Sequence, residues 1–240
     1  MQDRYAGDIG DFVKLGLLRV LSPGRKLGVT WYRFPDEDHN RDGRHVSYLE
    51  KPDRYSSLDP ALIEHLRSVV KDARSITSLL PILGNAVSAD ESLDVAEVPA
   101  RLRRGWRNAW FARTLDKLSE CDLVFADPDN GIVDDSDWRK GSPKFGKQMP
   151  LEEIRALARG RTAVIYHHNT RRRGGHDVEV DYWLNEINLP SLAVRATAYS
   201  PRTLFVLNPA GQMVEQVREF CESWQDLRVR LHVVSEGSKV

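Results

Sequence analysis

The sequence is poor in cysteine, holds no long apolar run and carries no excess of either charge. Its 240 residues include only two cysteines, Cys121 and Cys221, far apart in the chain. Two thiols so placed supply neither a disulfide framework nor a zinc knuckle, and both are expected to remain reduced. No apolar stretch approaches the ~18 residues that a membrane-spanning helix needs, so no membrane partner is expected. The opening residues Met1-Gln2-Asp3-Arg4-Tyr5 lack an apolar signal core, which points to a cytoplasmic protein. Lysine plus arginine equals aspartate plus glutamate at 35 each. No overall field therefore steers the chain towards nucleic acid, although local arginine patches still can. Internal repeats and low-complexity linkers are missing too.

What is present is an ordinary globular balance, 41% hydrophobic and 29% charged, which suits one α/β domain over residues 1–240. A helical N-terminal segment, residues 1–24, is expected to pack near the site. Within it Phe12, Leu15, Leu18 and Val20 recur at helical spacing over Asp11–Leu21, and Ser22-Pro23-Gly24 ends the run. Leu27–Phe34 reads as a strand, followed by a polar loop to Gly43. Asp59 and Pro60 read as the cap and first position of a helix. Between Arg74 and Trp110 the pattern predicts one short strand and a basic helix bearing Arg101, Arg103, Arg104 and Arg107.

The second half alternates more clearly. Asp122–Ala126 and Thr162–Tyr166 are short apolar runs, as expected of strands buried on both faces. Leu151–Ala158, Val178–Ile187 and Gln212–Trp224 are helical, and Leu227–Val234 alternates as a last strand. Leu192–Tyr199 and Thr203–Leu207 are separated only by Ser200-Pro201-Arg202, too short for a parallel crossover, so they form an antiparallel hairpin. The predicted architecture is a Rossmann-like methyltransferase fold: a mostly parallel sheet with one late antiparallel hairpin strand.

Ligands of open α/β sheets bind outside the carboxyl ends of the strands. The Asp122–Ala126 strand runs into Asp127-Pro128-Asp129-Asn130-Gly131, two carboxylates and an amide on a stiff backbone; the same residues also make a plain turn. The Thr162–Tyr166 strand runs into His167, His168, Asn169, Thr170, Arg171, Arg172 and Arg173. If the two strands are neighbours, these imidazoles and guanidiniums flank the Asp127 loop. The arginines suit a phosphate or nucleic-acid backbone, or form a solvated loop. Adjacent histidines point to opposite faces in extended chain, so at most one of His167 and His168 enters the site. Lys14, one turn after Asp11, reads as a surface partner or as part of the site.

Ala6-Gly7-Asp8-Ile9-Gly10-Asp11-Phe12-Val13-Lys14 resembles the N-terminal signature of bacterial large-subunit ribosomal RNA adenine-amino methyltransferases. That signature reads Ala-Gly-Asn, two residues, Asp, two residues, Lys. Asp127-Pro128-Asp129-Asn130 stands where the family carries Asp-Pro-Pro-Tyr, again after a buried strand. Leu204-Phe205-Val206-Leu207-Asn208-Pro209 with the helix from Gln212 is similar to the family's late strand, Asn-Pro and final helix. The resemblance implies S-adenosylmethionine as cofactor, held around Tyr5, Gly7, Asp8, Asp11, Lys14, Asp36 and His39. It implies catalysis by Asp127, Pro128, Asp129 and Asn130 on an amine, with substrate contacts from His167, His168, Arg171, Arg172 and Arg173. Three features depart from the family. No glycine turn follows the first strand, where Arg33-Phe34-Pro35-Asp36-Glu37 stands; Asp129 and Asn130 replace proline and the base-stacking aromatic; and Leu15 replaces a histidine.

Two other readings remain open at this stage. Asp127 and Asp129, with Asp36 or Asp38 and one of His39, His167 and His168, could hold Mg²⁺ or Mn²⁺ in a nuclease or phosphohydrolase. Or the chain is a binding protein that kept the fold without the chemistry.

Overall fold

Strands that are apolar at every position must be covered on both faces, and this chain covers them with helices. The computed structural model describes residues 1–37, 43, 45–72 and 74–234. Its helices are α1 (Ile9–Leu21), α2 (Pro52–Tyr55), α3 (Pro60–Asp72), α4 (Ala100–Lys117), α5 (Leu151–Leu157), α6 (Gly175–Ile187) and α7 (Gly211–Ser223). Its strands are β1 (Leu27–Thr30), β2 (Val87–Ala89), β3 (Leu123–Ala126), β4 (Ile132–Val133), β5 (Met149–Pro150), β6 (Thr162–His168), β7 (Ser191–Ala196), β8 (Arg202–Leu207) and β9 (Val229–Leu231). The main sheet has the order β2-β1-β3-β6-β8-β7-β9, while β4 and β5 pair in a small ribbon of their own.

β2, β1, β3 and β6 are parallel neighbours; β8 runs antiparallel to both β6 and β7, and β9 antiparallel to β7. The architecture is therefore the expected mixed α/β fold with a mostly parallel sheet, and β9 adds a second late antiparallel strand to the one predicted. Alternate residues of β3 divide the core. Leu123 and Phe125 join the apolar cluster of α1, α3 and α7. Val124 and Ala126 join that of α4, α5 and α6. The buried runs Leu123–Ala126 and Thr162–Tyr166 are apolar throughout because each serves two cores.

Several boundaries differ from expectation: β6 runs on to His168, β7 covers Ser191–Ala196 rather than Leu192–Tyr199, and α6 starts at Gly175 rather than Val178. β1 ends at Thr30 rather than Phe34, because Tyr32 adopts φ 46° and leaves the ladder. Trp31 and Tyr32 remain buried, which is why the run reads as strand in sequence. α1 begins at Ile9, two residues before Asp11, since Asp8 accepts hydrogen bonds from Gly10 N at 2.7 Å and Asp11 N at 3.3 Å and caps the helix. The last strand covers only Val229–Leu231; Leu227 closes a 3-10 turn before it. In the stretch Arg74–Trp110, the short strand is β2 and the basic helix is α4.

α1 packs against α3 and α7. At Gly16 the approach of α7 is so close that a Cβ would lie 2.5 Å from the Trp224 ring. Glycine to alanine inside a helix ordinarily stabilises by about 1 kcal/mol. Here the added methyl overpacks the α1–α7 contact, so Gly16→Ala is expected to destabilise by about 1–3 kcal/mol. Urea denaturation reads the sign; a variant as stable as the parent would show that the contact gives way freely.

Candidate functional site

The parallel strands end on one rim, and β8, running the other way, begins there. Ala126 pairs with Ile165, and His168 pairs with Arg202. The chain ends after β3 and β6 thus emerge side by side, as the site requires. A cavity of about 320 Å³ opens at this rim, at the small end of the range for ligand sites.

Lys14 is the centre of its floor. α1 starts at the rim, and its second turn carries the Lys14 ammonium inward to 2.7 Å from Asp127 Oδ2 and 3.0 Å from Asp11 Oδ1. It also stands 4.5 Å from the centre of the Tyr166 ring. Lys14 is 5% exposed and both carboxylates 1%, so the triad is nearly dehydrated. Burial works against the ammonium, but Asp127 and then Asp11 outweigh it and hold its pKa above that of an ordinary lysine. It is a fixed cation. Burial lifts the Asp11 carboxyl to about 6 against the pull of Lys14, and the other Asp11 oxygen accepts from Gly7 N at 2.8 Å. Lys14 is thus no surface i,i+3 partner.

The Asp127 loop is pinned from several sides. Asp127 N donates to Thr30 O at 3.0 Å and Asn130 N to Lys147 O at 2.8 Å. Asp129 accepts from the Gln2 amide at 2.7 Å, with Lys147 Nζ at 3.7 Å; Lys147 also pairs with Glu37. Gly131 turns the chain at φ 80°, and a Cβ there would run into His167 Nδ1. The segment Met1–Asp3 lies over the tips of β1 and β3: the Met1 amine donates to Tyr32 O at 2.9 Å and Asp127 O at 3.3 Å, and Phe34 N donates to Met1 O at 2.9 Å.

Of the residues expected to hold a cofactor, Tyr5, Asp8 and Lys14 line the cavity. Gly7 and Asp11 frame it from behind. Asp36 is exposed and accepts from Arg4 N at 3.3 Å, outside the cavity. His39 lies outside the described residues, as does Asp38. Asp127, Asp129 and Asn130 line the cavity, and Pro128 does not.

The two histidines divide as their alternation predicts. His168 lines the cavity, and its Nδ1 is 3.3 Å from the Tyr166 hydroxyl. Burial, followed by the charge of Arg202, keeps its pKa below the usual histidine value. His167 is fully buried on the opposite face and works as a brace. Its Nδ1 accepts from Ile132 N at 3.0 Å, which leaves the ring proton on Nε2, 3.1 Å from Glu179 Oε1. Arg171, Arg172 and Arg173 are exposed and do not line the cavity; Arg172 stacks 3.6 Å from the Tyr182 ring centre instead.

Sequence reasoning missed Gln2, Lys147, Ser200 and Arg202. Arg202 read only as the end of a turn. The signal for it was available: the first residue of an antiparallel strand stands on the rim where its parallel neighbours end. Among the described residues, no group of three or more His, Cys, Asp and Glu could hold a metal ion, and no helix is long and apolar enough to cross a membrane. Neither a protein-family model nor a curated protein matches this chain.

Two predictions follow from the buried ion pairs. Lys14→Met leaves two carboxylates buried and unpaired and is expected to cost about 3–5 kcal/mol in urea denaturation; a loss under about 1 kcal/mol would mean that the triad is hydrated. Burial alone would raise the Glu179 carboxyl, but hydrogen bonds from His167 and Thr170 outweigh it and hold it at about 2, against an ordinary 4.5. A depressed carboxyl contributes stability above its unfolded value and loses it on acidification. Folding should therefore weaken by about 3 kcal/mol as pH falls from about 4.5 to about 2. Glu179→Gln should flatten that part of the stability–pH curve; parallel curves for the two proteins would refute the assignment.

Proposed function

We propose that this chain is an S-adenosylmethionine-dependent methyltransferase acting on an amine, with nucleic acid as the preferred substrate class. The observation that carries the reading is the Asp127 carboxylate. It follows β3 directly and lines a rim cavity beside β6. Asp127 Oδ2 accepts from the Lys14 ammonium at 2.7 Å. Support also comes from the resemblance to ribosomal RNA adenine-amino methyltransferases, because its N-terminal and Asp-Pro blocks meet at the Lys14–Asp127 pair.

The cavity residues suit a cationic sulfonium cofactor in kind. Asp8 offers a carboxylate oxygen beyond the one that caps α1, Tyr5 an aromatic ring, and Asn130 an amide. Tyr5, Asp8 and Asn130 would hold it. When bound, it supplies an electrophilic methyl group. The chain's own residues do the rest. Lys14 fixes the Asp127 carboxyl through Oδ2; Asp127 Oδ1 accepts an N–H of the incoming amine and orients its lone pair. The Met1–Asp3 segment covers the tip of β1, where the family carries its glycine turn, so the cofactor would be held from the α1 and β3 side.

The hydrolase reading draws less support, because the acidic groups it needs are engaged by lysines: Asp127 by Lys14, and Asp129 by Lys147 and Gln2. Isothermal titration with S-adenosylmethionine is expected to give saturable binding, and its absence at millimolar cofactor in folded protein would remove the proposal. Asp127→Asn keeps the shape of the side chain. Transfer of labelled methyl to RNA oligonucleotides should then fall by about 100-fold or more while cofactor affinity changes little. Undiminished transfer would take Asp127 out of the chemistry.

A further inference from the structure

Buried guanidinium groups normally find acceptors for their five N–H bonds. Arg202 does not. Its side chain is 2% exposed and lines the rim cavity. Nη2 donates to Ser200 Oγ at 2.5 Å, but Nε and Nη1 have no hydrogen-bond partner among the described residues. The carboxylates that share the cavity are committed elsewhere. Asp127 is paired with Lys14 and Asp129 with Lys147 and Gln2, and Asp8 caps α1. Gly10 lies against the guanidinium, where a Cβ would come within 3.3 Å of Nη1.

An unpaired buried cation is costly, and a ligand anion is what relieves the cost. The groups around Arg202 are donors. The Tyr166 hydroxyl and the His168 ring line the same cavity. Ser200 Oγ accepts from Arg202, so its own proton is free to be donated. Two unpartnered guanidinium nitrogens, the Ser200 hydroxyl and the Tyr166–His168 pair exceed what the two oxygens of a carboxylate use, and they match the larger acceptor set of a phosphate. We propose that the β6–β8 wall of the cavity is a phosphate-binding subsite anchored by Arg202. It takes a phosphate-bearing ligand of the nucleotide class. The subsite names the substrate class for the methyl-transfer reading and rests on that reading only in this respect, because phosphate binding requires no methyl chemistry.

The direct test titrates inorganic phosphate into the intact protein by calorimetry, against chloride at equal ionic strength. Saturable phosphate binding is expected, weakened about tenfold or more by Arg202→Gln and unchanged when Arg171, Arg172 and Arg173 are all replaced by alanine. A second measurement needs no variant: the Arg202 Nε–H resonance of the wild-type protein should shift as phosphate saturates. A nucleoside 5′-monophosphate and a short single-stranded RNA serve as two further ligands. Tighter binding of the first makes the source a free nucleotide, and of the second a nucleic-acid strand. The proposal is overturned if phosphate shows no saturable binding over chloride, if Arg202→Gln binds it equally well, or if the Nε–H resonance stays still at saturation. Failure of S-adenosylmethionine to bind would leave all of these results as they stand.

Discussion

The ammonium of Lys14, shut between Asp11 and Asp127, is the constraint on which the site depends. Two carboxylates and one ammonium are nearly dehydrated there, and any one of them left alone would carry a desolvation cost of several kcal/mol. The triad therefore fixes the depth and rotation of α1 against β3. It also holds the Asp127 side chain in place through the 2.7 Å bond to Oδ2. The Tyr166 ring beneath the ammonium ties β6 to the same point. Three elements from distant parts of the chain thus converge on one positive charge.

Much of the fold was legible because the sheet is simple. Runs such as Leu123–Ala126 and Thr162–Tyr166 are uniformly apolar, and the three residues between β7 and β8 permit only a reversal of direction. The site was legible where local sequence sets it, as in the loop after Ala126 and in the opposed faces of His167 and His168. What could not be read depends on partners far away. Lys14 stands three residues from Asp11, which suggests a surface pair, and nothing local reveals Asp127, 113 residues on. Nothing local marks Glu179 within its helix, yet it receives His167 and Thr170 in the core. The run Arg171–Arg173 drew attention by its charge density. The arginine that enters the cavity is instead the isolated Arg202, whose place is set by strand direction.

The cavity is divided by charge. The α1 and β3 side carries Asp8, Asp127 and Asp129, all engaged by donors, and the β6–β8 side carries Arg202 with donors still open. A ligand bearing a positive centre at one end and an anionic group at the other is matched by such a wall pair, and one of uniform charge is not. His167, Glu179, Asn169 and Thr203 lie behind the basic side as a closed hydrogen-bonded set, holding the end of β6 rigid beneath it. This division gives the methyl-transfer reading its direction, with the cofactor towards α1 and the substrate towards β8.

The placement of Met1–Asp3 across the tips of β1 and β3 has a consequence for biosynthesis. Translation delivers α1 before β3, with its lysine solvated and its apolar surface bare, and more than a hundred residues separate Lys14 from the Asp127 that receives its charge. The rim is complete only after β8, when residue 202 has left the ribosome. The pocket can close only once β8 is made, so a chain interrupted before it carries an incomplete rim, and the apolar flank of α1 is the surface a nascent-chain chaperone would meet.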